Sequence, residues 1–126
     1  MPTVSRPLRI LVIDDEPMIG RAIRRSLGHW DVSVSLSAVE ALKRFEDGER
    51  FEAIVCDMMM PGMTGSALHA ELVRLVPEQA ARMTFVTGGA LTPETEAFVE
   101  EHPGRIVSKP FDIGELERRI RARIEG

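Results

Sequence analysis

Residues 51–65 read FEAIVCDMMMPGMTG. Phe51 to Asp57 is a short, nearly continuous apolar run, the composition of a central strand in a parallel sheet that is buried on both faces. The run ends in an acid. Pro61 and Gly62 then interrupt the chain, and Thr64 offers a hydroxyl to cap a helix that runs to about Val76. Strand, polar end, turn and capped helix form one unit, and the same order recurs on either side of it.

Toward the N-terminus, Leu8 to Asp14 (LRILVID) is a second aliphatic strand. Pro17 to Leu27 follows with helical spacing, Met18, Ile19, Ala22, Ile23 and Leu27 falling on one stripe. Val32 to Leu36 (VSVSL) alternates with period two, the mark of a half-exposed edge strand. Ser37 with Glu40 three residues on makes a capping box for a helix over Ala38 to Phe45. Toward the C-terminus, Met83 to Thr87 (MTFVT) is a further strand, and Thr92-Pro93 starts a helix that runs to about His102. Arg105 to Ser108 is a short fifth strand. Asp112 caps a last helix, Glu115 completes its box, and Ile113, Leu116, Ile120 and Ile124 give it an apolar face. Five strands alternating with five helices predict an α/β domain, a parallel sheet covered by helices on both sides.

The chain has 126 residues, which suits one domain, expected over 8–126 after a short lead-in at Met1 to Pro7. Apolar residues make up 44% and charged residues 29%, the balance of an ordinary globule. A net charge of −4 lacks the basic footprint of direct nucleic-acid binding. Cys56 is the only cysteine, so no internal disulfide forms and no Cys/His cluster has zinc spacing. No apolar run approaches the roughly 20 residues of a membrane span, and the lead-in has no signal core. These features predict a cytoplasmic protein.

In an open parallel sheet, ligands bind outside the carboxyl ends of the strands. The first strand ends in Asp14-Asp15-Glu16, the third in Asp57 and the fourth in Thr87, while Lys109-Pro110 follows the fifth. Each has an ordinary explanation alone: a helix cap, a turn former, a strand residue, a solvated charge. Their coincidence on one rim does not. Clustered carboxylates repel and must be relieved by a proton or a cation. Hard oxygen ligands suit Mg²⁺, and a lysine adds a mobile positive charge. A carboxylate is a competent nucleophile for an aspartyl phosphate, and phosphoryl transfer mostly needs positioning and charge neutralisation.

These residues resemble response-regulator receiver domains. The matching elements are Asp14-Asp15, the run Asp57-Met58-Met59-Met60-Pro61-Gly62-Met63-Thr64-Gly65, Thr87-Gly88 and Lys109-Pro110-Phe111, in order across about residues 8 to 124. The resemblance implies a doubly wound, flavodoxin-like fold with strand order 2-1-3-4-5. It implies that Asp57 is the phosphoacceptor. Asp15 would bind Mg²⁺ directly, Asp14 partly through water, and the backbone carbonyl of Met59 would complete the protein ligands. Thr87 would move to hydrogen-bond the phosphoryl group, and Lys109 would pair first with Asp57 and then with that group. The Lys109–Pro110 bond would be cis. The implied partner is a histidine kinase or a histidine phosphotransfer protein, and the chain would catalyse only its own phosphorylation and dephosphorylation. Phosphorylation would draw in Thr87 and the Gly88-Gly89-Ala90 loop and alter the face of the fourth helix, fifth strand and fifth helix. Glu94, Glu96, Glu100 and Glu101 on one of those helices and Arg118, Arg119, Arg121 and Arg123 on the other read as solvated faces, or else as complementary halves of a homodimer. The chain reads as a stand-alone regulator or as part of a hybrid kinase or longer regulator.

The sequence departs from the family pattern at Ile106, three residues before the lysine, where members often carry an aromatic ring that turns inward on activation. Met59 and Gly89 occupy positions that help set phosphoryl lifetime. Three other readings are weaker. A flavin or nucleotide site would want a glycine- or hydroxyl-rich loop where Asp14, Asp15 and Glu16 stand. An aspartate-nucleophile phosphatase would want a second acid where Met59 stands. A receiver-like binding module that is never phosphorylated would not need the full polar set. His29, His69 and His102 are scattered and read as surface or loop residues, and Met58 to Met60 and Met63 read as packing rather than as metal ligands.

Overall fold

The computed structural model describes residues 7–89 and 92–125. The lead-in before Pro7, Ala90 of the glycine loop and Gly126 lie outside them. Strands β1 (Arg9–Ile13), β2 (Asp31–Ser35), β3 (Ala53–Asp57), β4 (Met83–Thr87) and β5 (Ile106–Ser108) form one sheet. Helices α1 (Pro17–Ser26), α2 (Ala38–Glu46), α3 (Gly65–Leu75), α4 (Pro77–Ala80), α5 (Pro93–Glu101) and α6 (Ile113–Glu125) connect or follow them. The order is β2-β1-β3-β4-β5, with every pairing parallel, as the family resemblance implies.

Successive residues of a strand face opposite sides, and each side has its own core. Leu11, Ile13, Ile54, Cys56 and Phe85 pack with Ala41 and Phe45 of α2 and with Leu68 and Leu72 of α3. Ile10, Val12, Val55, Val86 and Val107 pack with Ile23 of α1 and with Leu116 and Ile120 of α6. β3 and β4 are buried along their whole length, whereas β2 lies at the sheet edge and is only partly covered. It does not alternate as the VSVSL pattern predicts, because Val32 and Ser35 are buried while Ser33 and Val34 are half-buried.

The helix starts follow the sequence. Ser37 Oγ accepts the Glu40 N–H at 3.0 Å, and Thr64 Oγ1 accepts the Ala67 N–H at 3.2 Å. Thr92 Oγ1 accepts the Thr95 N–H at 3.2 Å, and Asp112 Oδ1 accepts the Gly114 N–H at 3.3 Å. These side chains satisfy donors that the first turn leaves without partners.

Two further features differ from the sequence reading. β2 begins one residue earlier and stops before Leu36, which is exposed. The five expected helices become six among the described residues, because Pro77 opens a separate turn, α4, directly after α3. Val76 closes one helix and begins the next with a non-helical backbone (φ −146°, ψ 73°), outside the α region that a following proline disfavours. The face expected from the fourth helix, fifth strand and fifth helix is therefore that of α5, β5 and α6.

Candidate functional site

β1 and β3 are neighbours, so their carboxyl ends bring Asp14 and Asp57 onto one rim. Both side chains are almost wholly buried, while Asp15 is exposed. Carboxylate oxygens of Asp14, Asp15 and Asp57 all lie within 4.8 Å of one another. The rim is held by main-chain bonds. The Glu16 N–H donates to Asp14 Oδ1 at 2.9 Å, and the Met59 N–H approaches Asp57 Oδ1 at 3.4 Å. The Met58 N–H donates to the Val86 carbonyl at 2.9 Å, extending the β3–β4 ladder past Asp57.

Thr87 ends β4, one residue beyond the Val86 that lies opposite Asp57 in the register. Its carbonyl accepts the Lys109 N–H at 2.6 Å, which ties the residue after β5 to the same rim. The Lys109–Pro110 peptide is cis. Gly88 lies against the lysine: a β-carbon there would stand 3.2 Å from Lys109 Cβ. The side chain so guided places Nζ 3.6 Å from Asp14 Oδ2, 3.6 Å from Asp57 Oδ2 and 3.7 Å from Glu16 Oε1.

One amine thus faces a group of carboxylates whose charge it does not balance. Burial is the main cause that raises the pKa of Asp14, with partial relief from the Glu16 N–H and Lys109. Burial also raises the pKa of Asp57, and the charge of Asp14 raises it further. Burial alone would lower the pKa of Lys109, but Asp14, Asp57 and Glu16 together hold it above its ordinary value. The site is primed for added positive charge. Cys56, next to Asp57, is fully buried, and that burial pushes its thiol pKa up, which makes it unreactive.

Every candidate from the sequence is on or beside this rim: Asp14, Asp15, Asp57 and Lys109 in direct proximity, with Thr87 and Met59 on the adjoining strand end and loop. Met58 and Met60 are buried packing residues, as expected. Glu16, read from sequence only as part of the acidic run, proves to be a third acceptor near Lys109. The histidines need correction. His69 and His102 are not scattered surface residues, because their ring centroids lie 5.1 Å apart. Phe98 stacks on His102 at 4.0 Å and meets Phe85 edge-on at 4.8 Å, so the cluster joins α3, β4 and α5. Burial, with help from Arg105 and His102, lowers the pKa of His69 to about 4. No sequence spacing announces a cluster assembled from three elements.

The family model described as "Response regulator receiver domain" matches residues 10–121. The transcriptional regulatory protein TcrA of Mycobacterium tuberculosis is 33% identical over 120 residues, which cover 91% of this chain and 45% of that protein. The response regulator MprA of a Mycobacterium species is 32% identical over 118 residues, covering 92% of this chain and 50% of that one. The chain spans about half the length of the curated relatives it matches. Among solved structures, a response regulator receiver domain protein from Clostridium thermocellum superposes with a TM-score of 0.81 at 26% identity, covering 94% of both chains. A CheY-like receiver domain protein from Methanospirillum hungatei gives a TM-score of 0.81 at 24% identity over 95% of both chains, a likeness of fold.

Proposed function

This chain belongs to the response regulator receiver domain family, and on that premise we propose that Asp57 accepts a phosphoryl group from the phosphohistidine of a histidine kinase or histidine phosphotransfer protein. The observation that carries the reading is the convergence of Asp14, Asp15 and Asp57 within 4.8 Å, with Lys109 Nζ 3.6 Å from two of them. Three close carboxylates, two of them buried and held above their usual pKa, form a hard-oxygen donor set that fits Mg²⁺. Asp14, Asp15, Asp57 and the Met59 carbonyl would hold the ion. When bound it supplies positive charge against the phosphoryl oxygens.

The chemistry left to the protein is positioning and neutralisation. An Asp57 carboxylate oxygen attacks phosphorus. The bond from phosphorus to the donor imidazole breaks, and its electron pair stays on that nitrogen, which then takes up a proton. Lys109 is within reach to move from Asp57 Oδ2 to the new phosphoryl oxygens, and its raised pKa keeps it charged for that role. Thr87 offers a hydroxyl from the adjoining strand end. The phosphoryl group adds roughly −1.5 to −2 charges at neutral pH, and the response is a shift toward the state that contacts it better. Gly88 and Gly89 let the loop after β4 rearrange toward Asp57, and α5, β5 and α6 carry the output face. Arg119 and Arg121 on that face already pair with Glu115 and Glu117 of their own helix, which favours solvated faces over a charge-paired homodimer.

Intact-mass spectrometry after incubation with acetyl phosphate and Mg²⁺ tests the assignment, with Asp57→Asn as the control. The wild type gains one phosphoryl mass and the control gains none. Equal labelling of both would remove Asp57 from its role.

A further inference from the structure

Ile106 has no ring to turn inward, so a change at Asp57 must reach α5 through other groups. One polar path is present. The Met59 N–H approaches Asp57 Oδ1 at 3.4 Å, and the Met59 side chain extends to α5, where Sδ accepts the Thr95 hydroxyl at 3.7 Å. That hydroxyl oxygen accepts in turn from the Thr92 hydroxyl at 2.9 Å, and Thr92 Oγ1 caps the helix by accepting the Thr95 N–H. A continuous chain of donors and acceptors therefore runs from the N-cap of α5 to the loop after Asp57.

The packing of α5 gives this chain its weight. Thr95 is the one fully buried residue of α5, at 3% exposure, while Phe98 and Val99 are only partly buried against the core. The innermost anchor of the helix is thus a hydroxyl, and a buried hydroxyl that loses its acceptor costs free energy until it finds another. A thioether is a weak acceptor on a flexible side chain, so the contact yields when the loop moves. A Thr95 hydroxyl released by Met59 would have to rotate, which disturbs the Thr92 cap and the first turn of α5.

We propose that Thr95 is a positioning residue for the phosphoacceptor loop: through Met59 it steadies the loop after Asp57 and passes a change there to the first turn of α5. The proposal rests on the reading of Asp57 as phosphoacceptor. Thr95→Val keeps the shape of the side chain and removes the hydroxyl, Thr95→Ser keeps the hydroxyl, and Met59→Leu removes the acceptor.

Two readouts decide it: the Mg²⁺ concentration giving half-maximal phosphorylation by acetyl phosphate, and the amide NMR shifts of residues 92–101 on adding beryllofluoride with Mg²⁺. Thr95→Val is expected to raise the Mg²⁺ requirement roughly two- to fivefold, the change that one lost hydrogen bond produces. It should also shrink the α5 response while leaving that of Lys109 in place. Thr95→Ser should behave as wild type. Met59→Leu should match Thr95→Val, and the double variant should add nothing, since both remove the same contact. If Thr95→Val fails to fold, the comparison of Met59→Leu with wild type decides the point. Wild-type Mg²⁺ dependence with a full α5 response in Thr95→Val, or matching behaviour of the Val and Ser variants, would overturn the proposal. Absence of phosphorylation in the wild type would overturn the phosphoacceptor reading, and this inference with it.

Discussion

Asp57 is almost wholly buried and His69 half-buried, and the two move stability with pH in opposite directions. The pKa of Asp57 is raised, so the folded chain holds that proton more tightly than the unfolded chain does. Its ionised form costs stability, and the cost disappears as pH falls from neutrality through the raised value. Asp57→Asn removes the charge and keeps the shape. In metal-free buffer it should stabilise the protein by about 1 kcal/mol, read as a rise of about 4 °C in the thermal midpoint. A lower midpoint would mean that the carboxylate is already well compensated by Lys109. His69 has a lowered pKa, about 4 against an ordinary 6.5. Its contribution is complete above 6.5 and is lost as pH falls from there toward 4, because the unfolded chain takes up the proton first. His69→Phe should flatten the decline in denaturant midpoint across that window, and an unchanged slope would assign the decline to other groups. A third residue acts purely by space. A β-carbon on Gly65 would stand 2.7 Å from the Asp57 carbonyl oxygen and 3.1 Å from Met58 Cα, both backbone atoms that cannot yield cheaply. Gly65→Ala should therefore cost about 1–3 kcal/mol in chemical denaturation. It should also slow phosphorylation by shifting the end of β3.

Among the elements, α4 has the least support of its own, since four residues are too short to be a stable helix alone. Its side chain Gln79 explains its place. Gln79 Oε1 accepts the Phe51 N–H at 2.9 Å, and Gln79 Nε2 donates to the Phe51 carbonyl at 3.1 Å, all inside the protein. A side-chain amide thus continues the backbone pairing just before β3 begins. Gln79→Ala would strand two buried main-chain groups, at a cost of about 2–3 kcal/mol in denaturant unfolding. A loss under 0.5 kcal/mol would show that water replaces the amide without penalty. β2 is guarded differently. Arg24 Nε donates to the outward-facing Val32 carbonyl at 3.2 Å, covering part of an edge that could otherwise pair with another chain.

At the scale of the whole molecule, the sheet holds acids from two strands and an amine from beyond a third in one place, where at neutral pH an added cation relieves the repulsion. Mg²⁺ should therefore stabilise the folded chain. At about 100 times its dissociation constant, linkage gives about 2.7 kcal/mol. The thermal midpoint should rise in the wild type and much less in Asp57→Asn, and equal rises in both would place the ion elsewhere. No helix among the described residues is long and apolar enough to cross a membrane.

Local chemistry made most of this legible in the sequence. The period of apolar residues separates strands from helices, capping hydroxyls mark helix starts, and a parallel sheet sends its strand ends to one rim, so Asp14, Asp57, Thr87 and Lys109 could be read as one site from the residues alone. Strand order came from the family resemblance, because period and composition do not say which strands are neighbours. Tertiary structure alone decided the contacts between elements distant in sequence: Glu16 near Lys109, Thr95 on Met59, Gln79 on Phe51, and His69 beside His102. Such contacts depend on how far each helix slides and rotates over the sheet. Packing of the two whole cores fixes those quantities, and no short pattern in the chain encodes them.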